Sequence, residues 1–373
     1  MKYFILTGEP SGDLHASALV KNIKNNHPEA IFFGVGGSNL EAEGVELIYN
    51  IKDLSFMGFW EVIKNISKIQ KIKKDFINFI LSNKIKNIIF VDYPGLNLNI
   101  AKSLKKYNIN TFYFILPQIW AWHESRVEII KNNINHIISI LPFEVDFYKK
   151  HGLNAIYEGH PLVDRLNEYN YLTKQELFEK YKLDPEKEVL LLLPGSREQE
   201  INYLFNDMLI SANKISVEHN LQIVVASAQN ISKEIFNNDL KIKYTIVDNN
   251  VYDFFKYAKF GIIKSGTSTL EAALHQLPFI VVYKTNKFNY LLGKRLIKVN
   301  YISLVNLIAN KPVVTELIQN EVNIPSIFNS VNYYLNNNIN LINLQNELLK
   351  IKQSLGDIGV IDRIANYILK NSL

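Results

Sequence analysis

One turn in the second half of the sequence has the residue types of a phosphate-binding site. It spans residues 264–271 and reads Lys264, Ser265, Gly266, Thr267, Ser268, Thr269, Leu270, Glu271. Glycine and hydroxyl residues between a buried strand and a helix offer N–H groups and hydroxyls to a phosphate. We therefore predict that the turn 265–267 binds a phosphate and that Glu271 reaches ribose hydroxyls. Ser268 and Glu271 also have the spacing of a capping box, and both interpretations can hold.

A second candidate phosphate contact follows an earlier apolar run. Its residues are Leu193, Pro194, Gly195, Ser196 and Arg197, with Glu200 three positions later. A guanidinium just past a strand can bind a pyrophosphate through paired hydrogen bonds. A surface arginine in a loop is the alternative, and the Gly-Ser-Arg adjacency favours pyrophosphate binding.

Asp92 is the candidate general base. It follows the apolar run 87–91 and stands two residues before Pro94. A carboxylate at the carboxyl end of a parallel strand lies where such sheets bind ligands, and it can accept a proton there. The alternative is an Asx-turn ahead of the proline.

The first apolar run leads into a second glycine-containing turn. Its residues are Gly8, Glu9, Pro10, Ser11, Gly12 and Asp13. Such a turn can bind an anion, or it can be a plain strand-to-helix turn with Ser11 or Asp13 as N-cap, and spacing alone does not decide. It does not match GxGxxG and lacks the Walker lysine, so dinucleotide and ATP binding are disfavoured.

Two aromatic segments complete the candidates. Trp120 and Trp122 can form the floor of a sugar-binding site or line an apolar pocket, although composition favours packing in the core. Residues 56–60 are apolar and precede a lysine-rich stretch, which predicts a membrane-surface element; a half-buried helix with a basic face is the more common alternative. Its candidate membrane contacts are Phe56, Met57, Phe59 and Trp60. A second mixed patch spans residues 291–297.

The elements around these motifs alternate between strand and helix. Strands are predicted at 3–6, 30–33, 87–91, 111–116, 136–140, 189–193, 221–226, 244–247, 260–263 and 279–283, and helices at 14–24, 60–80 and 268–275. This alternation is typical of parallel sheets covered on both faces. The rhythm pauses near residue 165, so we predict two α/β domains, 1–165 and 166–354, with a cleft between them.

Composition narrows the function further. The chain has no cysteine, which excludes disulfides and thiolate chemistry and fits a reducing cytoplasm. Its net charge of +5 is a mild excess that does not imply nucleic acid. No Asp-x-Asp or His-Glu-x-x-His occurs, so we expect no catalytic metal and no cofactor. We expect no signal peptide and no spanning helix, so any membrane contact is peripheral.

In combination, these segments resemble lipid-A-disaccharide synthases from residue 8 to about 308. The resemblance rests on the motifs above together with Met57, Gly58, Glu61, Val62, Asn97, Arg126, Leu141, Pro142, Phe143, Glu144, Gly159, His160, Pro161, Tyr283, Lys294, Arg295, Leu296, Lys298 and residues 303–307. Several positions depart from the family pattern: Pro10, Gly95, His123, Val305 and Thr315. None of these departures removes Asp92, Arg197 or Glu271.

The resemblance implies a GT-B fold, two Rossmann-like domains facing a central cleft, with a final helix (about 355–373) packing back on the first. It implies an inverting, metal-independent transfer of 2,3-diacylglucosamine from UDP-2,3-diacylglucosamine to 2,3-diacylglucosamine 1-phosphate (lipid X). The second domain is implied to hold the donor. Asp92 of the first domain is the implied general base. The implied acceptor residues of the first domain are Gly8, Glu9, Ser11, Gly12, Asp13, Asn97, Trp120, Trp122 and Arg126.

The resemblance also implies a cytoplasmic Gram-negative enzyme bound peripherally at the inner membrane; the oligomeric state is open, with a homodimer among the possibilities. Two other functions compete. A UDP-N-acetylglucosamine 2-epimerase needs no apolar acceptor surface, so residues 56–60 argue against it. Retention of Asp92 and Arg197 argues against a non-catalytic sugar-nucleotide binding protein.

Overall fold

The computed structural model describes residues 1–54, 66–122, 124–237 and 240–373. Two compact units divide the chain. The first unit contains Met1–Asp164 and Gly356–Leu373, and the second contains Arg165–Leu355. Each unit is an α/β layer structure around a parallel sheet, which confirms the predicted fold class.

The sheet of the first unit has the strand order β3-β2-β1-β4-β5-β6-β7, and neighbouring strands run parallel. Its strands are β1 (Lys2–Leu6), β2 (Ile31–Gly36), β3 (Glu46–Asn50), β4 (Asn87–Val91), β5 (Asn110–Phe114), β6 (His136–Ser139) and β7 (Ala155–Tyr157). The central strands β4 and β5 are buried along their whole length, as expected for strands covered on both faces.

Helices cover both faces of this sheet. They are α1 (Pro10–Asn26), α2 (Ser38–Ala42), α3 (Ile51–Leu54), α4 (Ile66–Ser82), α5 (Pro94–Leu104), α6 (Ile119–Trp122), α7 (Val127–Asn133), α8 (Pro142–Lys150), α9 (Leu162–Asn167), in which the boundary between the units falls, and α18 (Val360–Lys370). In α18 the buried residues recur on one face, and this face joins the core that α1 forms with the sheet. Asp164 accepts hydrogen bonds from three backbone N–H groups at the start of α18 and so fixes where that helix begins.

The sheet of the second unit has the order β10-β9-β8-β11-β12-β13, again with parallel neighbours. Its strands are β8 (Glu188–Leu193), β9 (Leu221–Ala226), β10 (Thr245–Val247), β11 (Phe260–Lys264), β12 (Phe279–Tyr283) and β13 (Glu316–Ile318). Its helices are α10 (Lys174–Tyr181), α11 (Glu198–His219), α12 (Val251–Tyr257), α13 (Ser268–Leu274), α14 (Lys287–Leu296), α15 (Leu304–Ala309), α16 (Ile324–Leu335) and α17 (Asn338–Ser354).

Both strand orders create a place where a ligand can bind. In the first sheet the chain moves outward from β1 to β3 and then returns to place β4 on the other side of β1. The second sheet repeats this pattern with β8 and β11. Parallel sheets bind ligands outside the carboxyl ends of the two strands at such a reversal. The residues that follow β1, β4, β8 and β11 are therefore the candidates for chemistry.

The edge strands β3, β7 and β13 are absent from the sequence-based predictions. Each is short and only partly buried, so it has no continuous apolar run that would mark it. Such strands form because a neighbouring strand offers hydrogen-bonding partners, which is a tertiary effect.

Candidate active site

Asp92 lies immediately after β4 in a backbone conformation that non-glycine residues rarely adopt. Its φ angle is 50°, that of Tyr93 is 47°, and Ile115, just after the neighbouring strand β5, has φ 59°. Left-handed conformations of this kind cost free energy and concentrate at functional sites. Three such residues at the carboxyl ends of β4 and β5 mark this part of the first unit.

Hydrogen bonds hold the strained turn in place. The N–H of Asp92 donates to the carbonyl of Phe114 at 3.2 Å. The carbonyl of Asp92 accepts from Asn97 Nδ2 at 2.6 Å and from the Tyr113 hydroxyl at 2.8 Å. Asn97 is fully buried, so it positions the backbone of Asp92 from within the protein.

The environment of Asp92 raises its pKa, which is the direction that a general base requires. Burial raises the pKa of Asp92, and the negative charge of Glu9 raises that pKa further, while a backbone hydrogen bond from Tyr93 opposes the change. A carboxylate with a raised pKa accepts a proton more readily near neutral pH. Glu9 is exposed, and its effect on Asp92 reflects the closeness of the turn after β1 to the end of β4, which are neighbouring strands of the sheet.

The turn after β1 contains both packing residues and exposed residues. A Cβ at Gly8 would overlap the ring of Tyr93, so only glycine permits this close approach. Helix α1 begins at Pro10 with Glu9 as its N-cap, and the predicted alternative of Ser11 or Asp13 as N-cap is wrong. Pro10 suits the first helical position because it lacks the N–H that would have no partner there.

Asp13 is buried and its carboxylate already has partners. It accepts from Gly37 N at 2.6 Å, from Asn39 N at 3.1 Å and from Asn39 Nδ2 at 2.9 Å. These bonds hold the start of α2 against α1. Gly12 is buried as well, whereas Glu9 and Ser11 are exposed. Within this turn, the exposed residues are the ones that a ligand can reach.

The tryptophan segment has two different environments. Trp120 is buried, donates from Nε1 to Glu144 Oε1 at 3.1 Å, and packs edge-on against Phe143. Trp122 is 48% exposed, and the guanidinium of Arg126 lies over its ring at 5.8 Å. The core-packing interpretation therefore fits Trp120, and the surface needed for a ligand lies at Trp122 and Arg126.

Glu144 has no role in the sequence-based predictions, and in the structure it is buried against Trp120. Its Oε2 atom accepts from the N–H groups of Ile140 and Leu141 at 3.3 and 3.2 Å. Burial raises the pKa of Glu144 to about 7, against the pull of the hydrogen bonds from Trp120, Leu141 and Ile140. The Leu-Pro-Phe-Glu sequence at the start of α8 was the available signal, because a glutamate at the third helical position often turns back to the helix start.

The second unit has a pocket of about 300 Å³ at the carboxyl ends of β8 and β11. It is lined by Leu193, Gly195, Ser196, Ala226, Ser227, Ala228, Val251, Lys264, Ser265, Gly266, Thr267 and Ser268. The two phosphate-binding turns predicted from the sequence thus lie on one pocket, at the point where the strand order reverses.

A carboxylate fixes the first of these turns. Gly195 has φ 132°, and a Cβ there would lie 2.6 Å from Glu200 Oε2, so glycine is required for both conformation and space. Glu200 Oε2 accepts the N–H of Ser196 at 3.1 Å, and its Oε1 accepts from Lys264 Nζ at 2.8 Å. The Nη1 atom of Arg197 lies 3.9 Å from the same Oε1 atom, but the arginine side chain is 83% exposed and remains accessible to a ligand.

The second turn is open on the side of the pocket. A Cβ at Gly266 would meet no atom within 4 Å, and the Ser265 hydroxyl donates to the carbonyl of Ile302 at 2.8 Å. Helix α13 begins at Ser268 with Thr267 as N-cap and no side-chain capping bond, so the predicted capping box of Ser268 and Glu271 is wrong.

Glu271 has a tyrosine partner instead. Its Oε1 accepts from the Tyr252 hydroxyl at 2.9 Å, and the guanidinium of Arg165 lies 5.5 Å over the Tyr252 ring. Burial raises the pKa of Glu271, while the Tyr252 hydrogen bond and the Arg165 charge lower it. The hydrogen bond to Oε1 orients the carboxyl group.

The first candidate membrane contacts, Phe56, Met57, Phe59 and Trp60, lie outside the described residues. The second patch is described and is apolar at its surface. Phe288 and Leu291 of α14 are 75% and 66% exposed, and Leu296 and Ile297 are 45% and 44% exposed. Lys294 and Arg295 are exposed between them. In the portion of the chain that the structure describes, no helix has the length and hydrophobicity to cross a membrane.

Comparison with known proteins gives a consistent result across nearly the whole chain. A family model described as lipid-A-disaccharide synthetase matches residues 3–363. A lipid-A-disaccharide synthase of Myxococcus xanthus is 34% identical over 373 residues, covering 99% of this chain and 97% of the relative. One from a Sulfurihydrogenibium species is 35% identical over 386 residues, covering 98% and 97%.

Solved structures with similar folds are more distant in sequence. A UDP-GlcNAc 2-epimerase from Neisseria meningitidis, bound to UDP-GlcNAc, superposes with a TM-score of 0.67 at 10% identity and covers 100% of both chains. The glycotransferase of kitacinnamycin superposes with a TM-score of 0.67 at 9% identity, covering 99% of this chain and 98% of its own. At such identities the likeness establishes the two-domain fold alone.

Proposed function

The chain belongs to the lipid-A-disaccharide synthetase family, and from that membership we propose a division of chemical roles between its two units. Its function is the glycosyl transfer of lipid A biosynthesis that this family performs. The family reaction transfers 2,3-diacylglucosamine from UDP-2,3-diacylglucosamine to the 6-hydroxyl of 2,3-diacylglucosamine 1-phosphate. The products are the β-1,6-linked disaccharide 1-phosphate and UDP. We assign the proton-accepting role to the first unit and the donor-binding role to the second.

Asp92 is the general base of this proposal, and its strained, partly buried position after β4 is the observation that carries it. An inverting transfer forms one bond from the acceptor oxygen to the anomeric carbon while the bond from that carbon to the UDP oxygen breaks. The acceptor hydroxyl must lose its proton, and the carboxylate of Asp92 takes it. Its raised pKa supports this role.

The pocket at β8 and β11 is the proposed donor site. Arg197 and the turn 265–267 bind the diphosphate, and Glu271, held by Tyr252, binds the ribose. The departing UDP carries the negative charge that develops as its bond to the anomeric carbon breaks. A preorganised donor aimed at such a charge contributes about 3 kcal/mol, so positive groups here can act in place of a metal ion.

We assign acceptor binding to groups of the first unit that are exposed or partly exposed. Glu9, Ser11, Trp122 and Arg126 are accessible, and Arg126 supplies a positive charge suited to the acceptor phosphate. Gly8, Gly12, Asp13, Asn97 and Trp120 support these groups through packing and hydrogen bonds rather than through direct contact. This narrows the acceptor set that the family resemblance implies.

The lipid substrates require an apolar surface, and we assign it to residues 288–297 together with residues 56–60. Exposed apolar side chains beside Lys294 and Arg295 suit an interface of acyl chains and anionic headgroups. The proposed location is the cytoplasmic face of the inner membrane, with peripheral attachment.

The deciding assay is UDP release by the purified chain. Release is expected only when both acylated sugars are present, with wild-type protein and not with Asp92→Asn. Release of UDP from the donor alone, at the rate seen with both sugars, would contradict a transferase and indicate a hydrolase.

A further inference from the structure

Lys264 is a half-buried cation at the last position of β11, inside the pocket of the second unit. Its side chain is 19% exposed, and that of its partner Glu200 is 16% exposed. None of the roles assigned above involves this lysine. The pocket places it beside both phosphate-binding turns, since it precedes Ser265 directly and bonds the carboxylate that fixes Ser196.

We propose that Lys264 is a donor-binding residue whose ammonium contacts the diphosphate of the nucleotide-sugar. The inference rests on the proposed donor site. It adds to that site a cation that is not among the donor-binding residues predicted from the sequence. Lys264 thereby becomes the second positive group of the site, with Arg197 as the first.

The position of the ammonium is fixed from two sides. Glu200 Oε1 accepts from Nζ at 2.8 Å, and the ring of Tyr283 lies 5.8 Å from Nζ. Glu200 cannot easily move away, because its other oxygen holds the N–H of Ser196. A positive group held in this way costs little further ordering when it meets an anion, which is the condition for strong electrostatic binding.

The charge balance also indicates a ligand. Two cations, Lys264 and Arg197, share the single carboxylate of Glu200, so this group of side chains has one positive charge in excess. A diphosphate brings at least two negative charges, which this arrangement can balance.

The test compares UDP with uridine as ligands of the wild type and of Lys264→Met, which keeps the apolar stem and removes the charge. We expect UDP to bind the variant at least about tenfold more weakly, as for a lost charge-assisted hydrogen bond, and uridine to bind within about twofold. Competitive ligand-observed NMR measures both affinities. Lys264→Arg should recover part of the UDP affinity.

A matched control is Lys259→Met. Lys259 lies just before the opposite end of the same strand and pairs with Glu188 at 3.2 Å, outside the pocket. Its removal deletes the same charge and an ion pair of the same kind, and we expect UDP affinity to be unchanged.

A double variant separates binding from neutralisation. If Lys264 only balances Glu200, Lys264→Met with Glu200→Gln restores UDP affinity; if it contacts the diphosphate, the double variant stays weak. Restored affinity, wild-type UDP affinity in Lys264→Met, or an equal loss for UDP and uridine would each overturn the inference. Failure of the wild type to prefer UDP over uridine would instead overturn the proposed donor site.

Discussion

Replacing Glu144 by glutamine should change how the stability of the first unit depends on pH. Burial raises the pKa of Glu144 to about 7 from an ordinary value of 4.5. Below 4.5 both the folded and the unfolded states hold the proton. Between 4.5 and 7 the unfolded chain releases the proton while the folded chain retains it, so stability falls as pH rises through this window.

The size of the effect follows from the two pKa values. Their difference, at 1.36 kcal/mol for each pKa step, corresponds to about 3 kcal/mol of stability lost between about pH 4 and pH 8. Glutamine does not titrate, so this loss is absent from the variant. Glutamine also cannot accept bonds with its amide nitrogen, and either Trp120 or the start of α8 loses its acceptor, which costs about 1–3 kcal/mol.

We therefore expect Glu144→Gln to be less stable than wild type at pH 5 and to approach or exceed it at pH 8. Urea unfolding followed by tryptophan fluorescence measures this in the relevant unit, because Trp60, Trp120 and Trp122, the protein's 3 tryptophans, all belong to residues 1–164. Glu128→Gln, at an exposed position of α7, is the control and should track wild type at every pH.

A constant stability difference between Glu144→Gln and wild type from pH 5 to pH 8 would refute this reasoning. It would mean that the three N–H donors outweigh burial and keep the carboxylate ionised throughout. The hydrogen bonds to Trp120, Ile140 and Leu141 would then dominate the free energy of this carboxyl group, and the raised pKa would not be present in solution.

Three further outcomes are expected. Asp92→Asn should lower kcat by about two to four orders of magnitude with UDP affinity unchanged, and near wild-type turnover in this variant would contradict the assignment of Asp92 as base. The wild-type rate should fall on the acid side of its pH profile, at a pH above the ordinary aspartate pKa of 3.8. Activity should persist in excess EDTA, whereas a complete, metal-reversible loss would exclude charge stabilisation by the protein alone. Serine at both Phe288 and Leu291 should reduce co-sedimentation with anionic vesicles, and equal pelleting of variant and wild type at low and high salt would show that lipid contact lies elsewhere.

Strand–helix alternation and the positions of the motifs were predictable because buried parallel strands leave continuous apolar runs. The run 87–91 matches β4 residue for residue, and Asp92 follows it as predicted. The edge strands β3, β7 and β13 were not predictable, since their pairing depends on a neighbouring strand. The start of a helix was also misplaced, because α1 begins at Pro10 with Glu9 as its N-cap. No local rule indicates that the Asp13 carboxylate accepts hydrogen bonds from the start of α2 instead.

The roles of individual site residues were less accessible to sequence reasoning. Acceptor binding by Gly8 stays a prediction, and the structure adds a reason for glycine that spacing does not show, because the ring of Tyr93 leaves no room for a Cβ there. The sequence analysis includes Lys264 in the turn 264–271 without giving it a role, because its pairing with Glu200 joins positions 64 residues apart. Such long-range contacts decide whether a charged side chain has a partner, and spacing along the chain does not contain them.

The two reversal points carry opposite electrostatic character, as the proposed division of roles requires. At β1 and β4, Asp92 is raised in pKa by burial and by the carboxylate of Glu9, so it takes up a proton readily. At β8 and β11, Lys264 and Arg197 outnumber Glu200, and this excess positive charge suits the diphosphate of the proposed donor. A displacement at a sugar carbon makes the incoming oxygen shed a proton while the departing oxygen gains negative charge. In the proposed mechanism, a single strand order used twice thus supplies a carboxylate base for the first event and a positively charged pocket for the second.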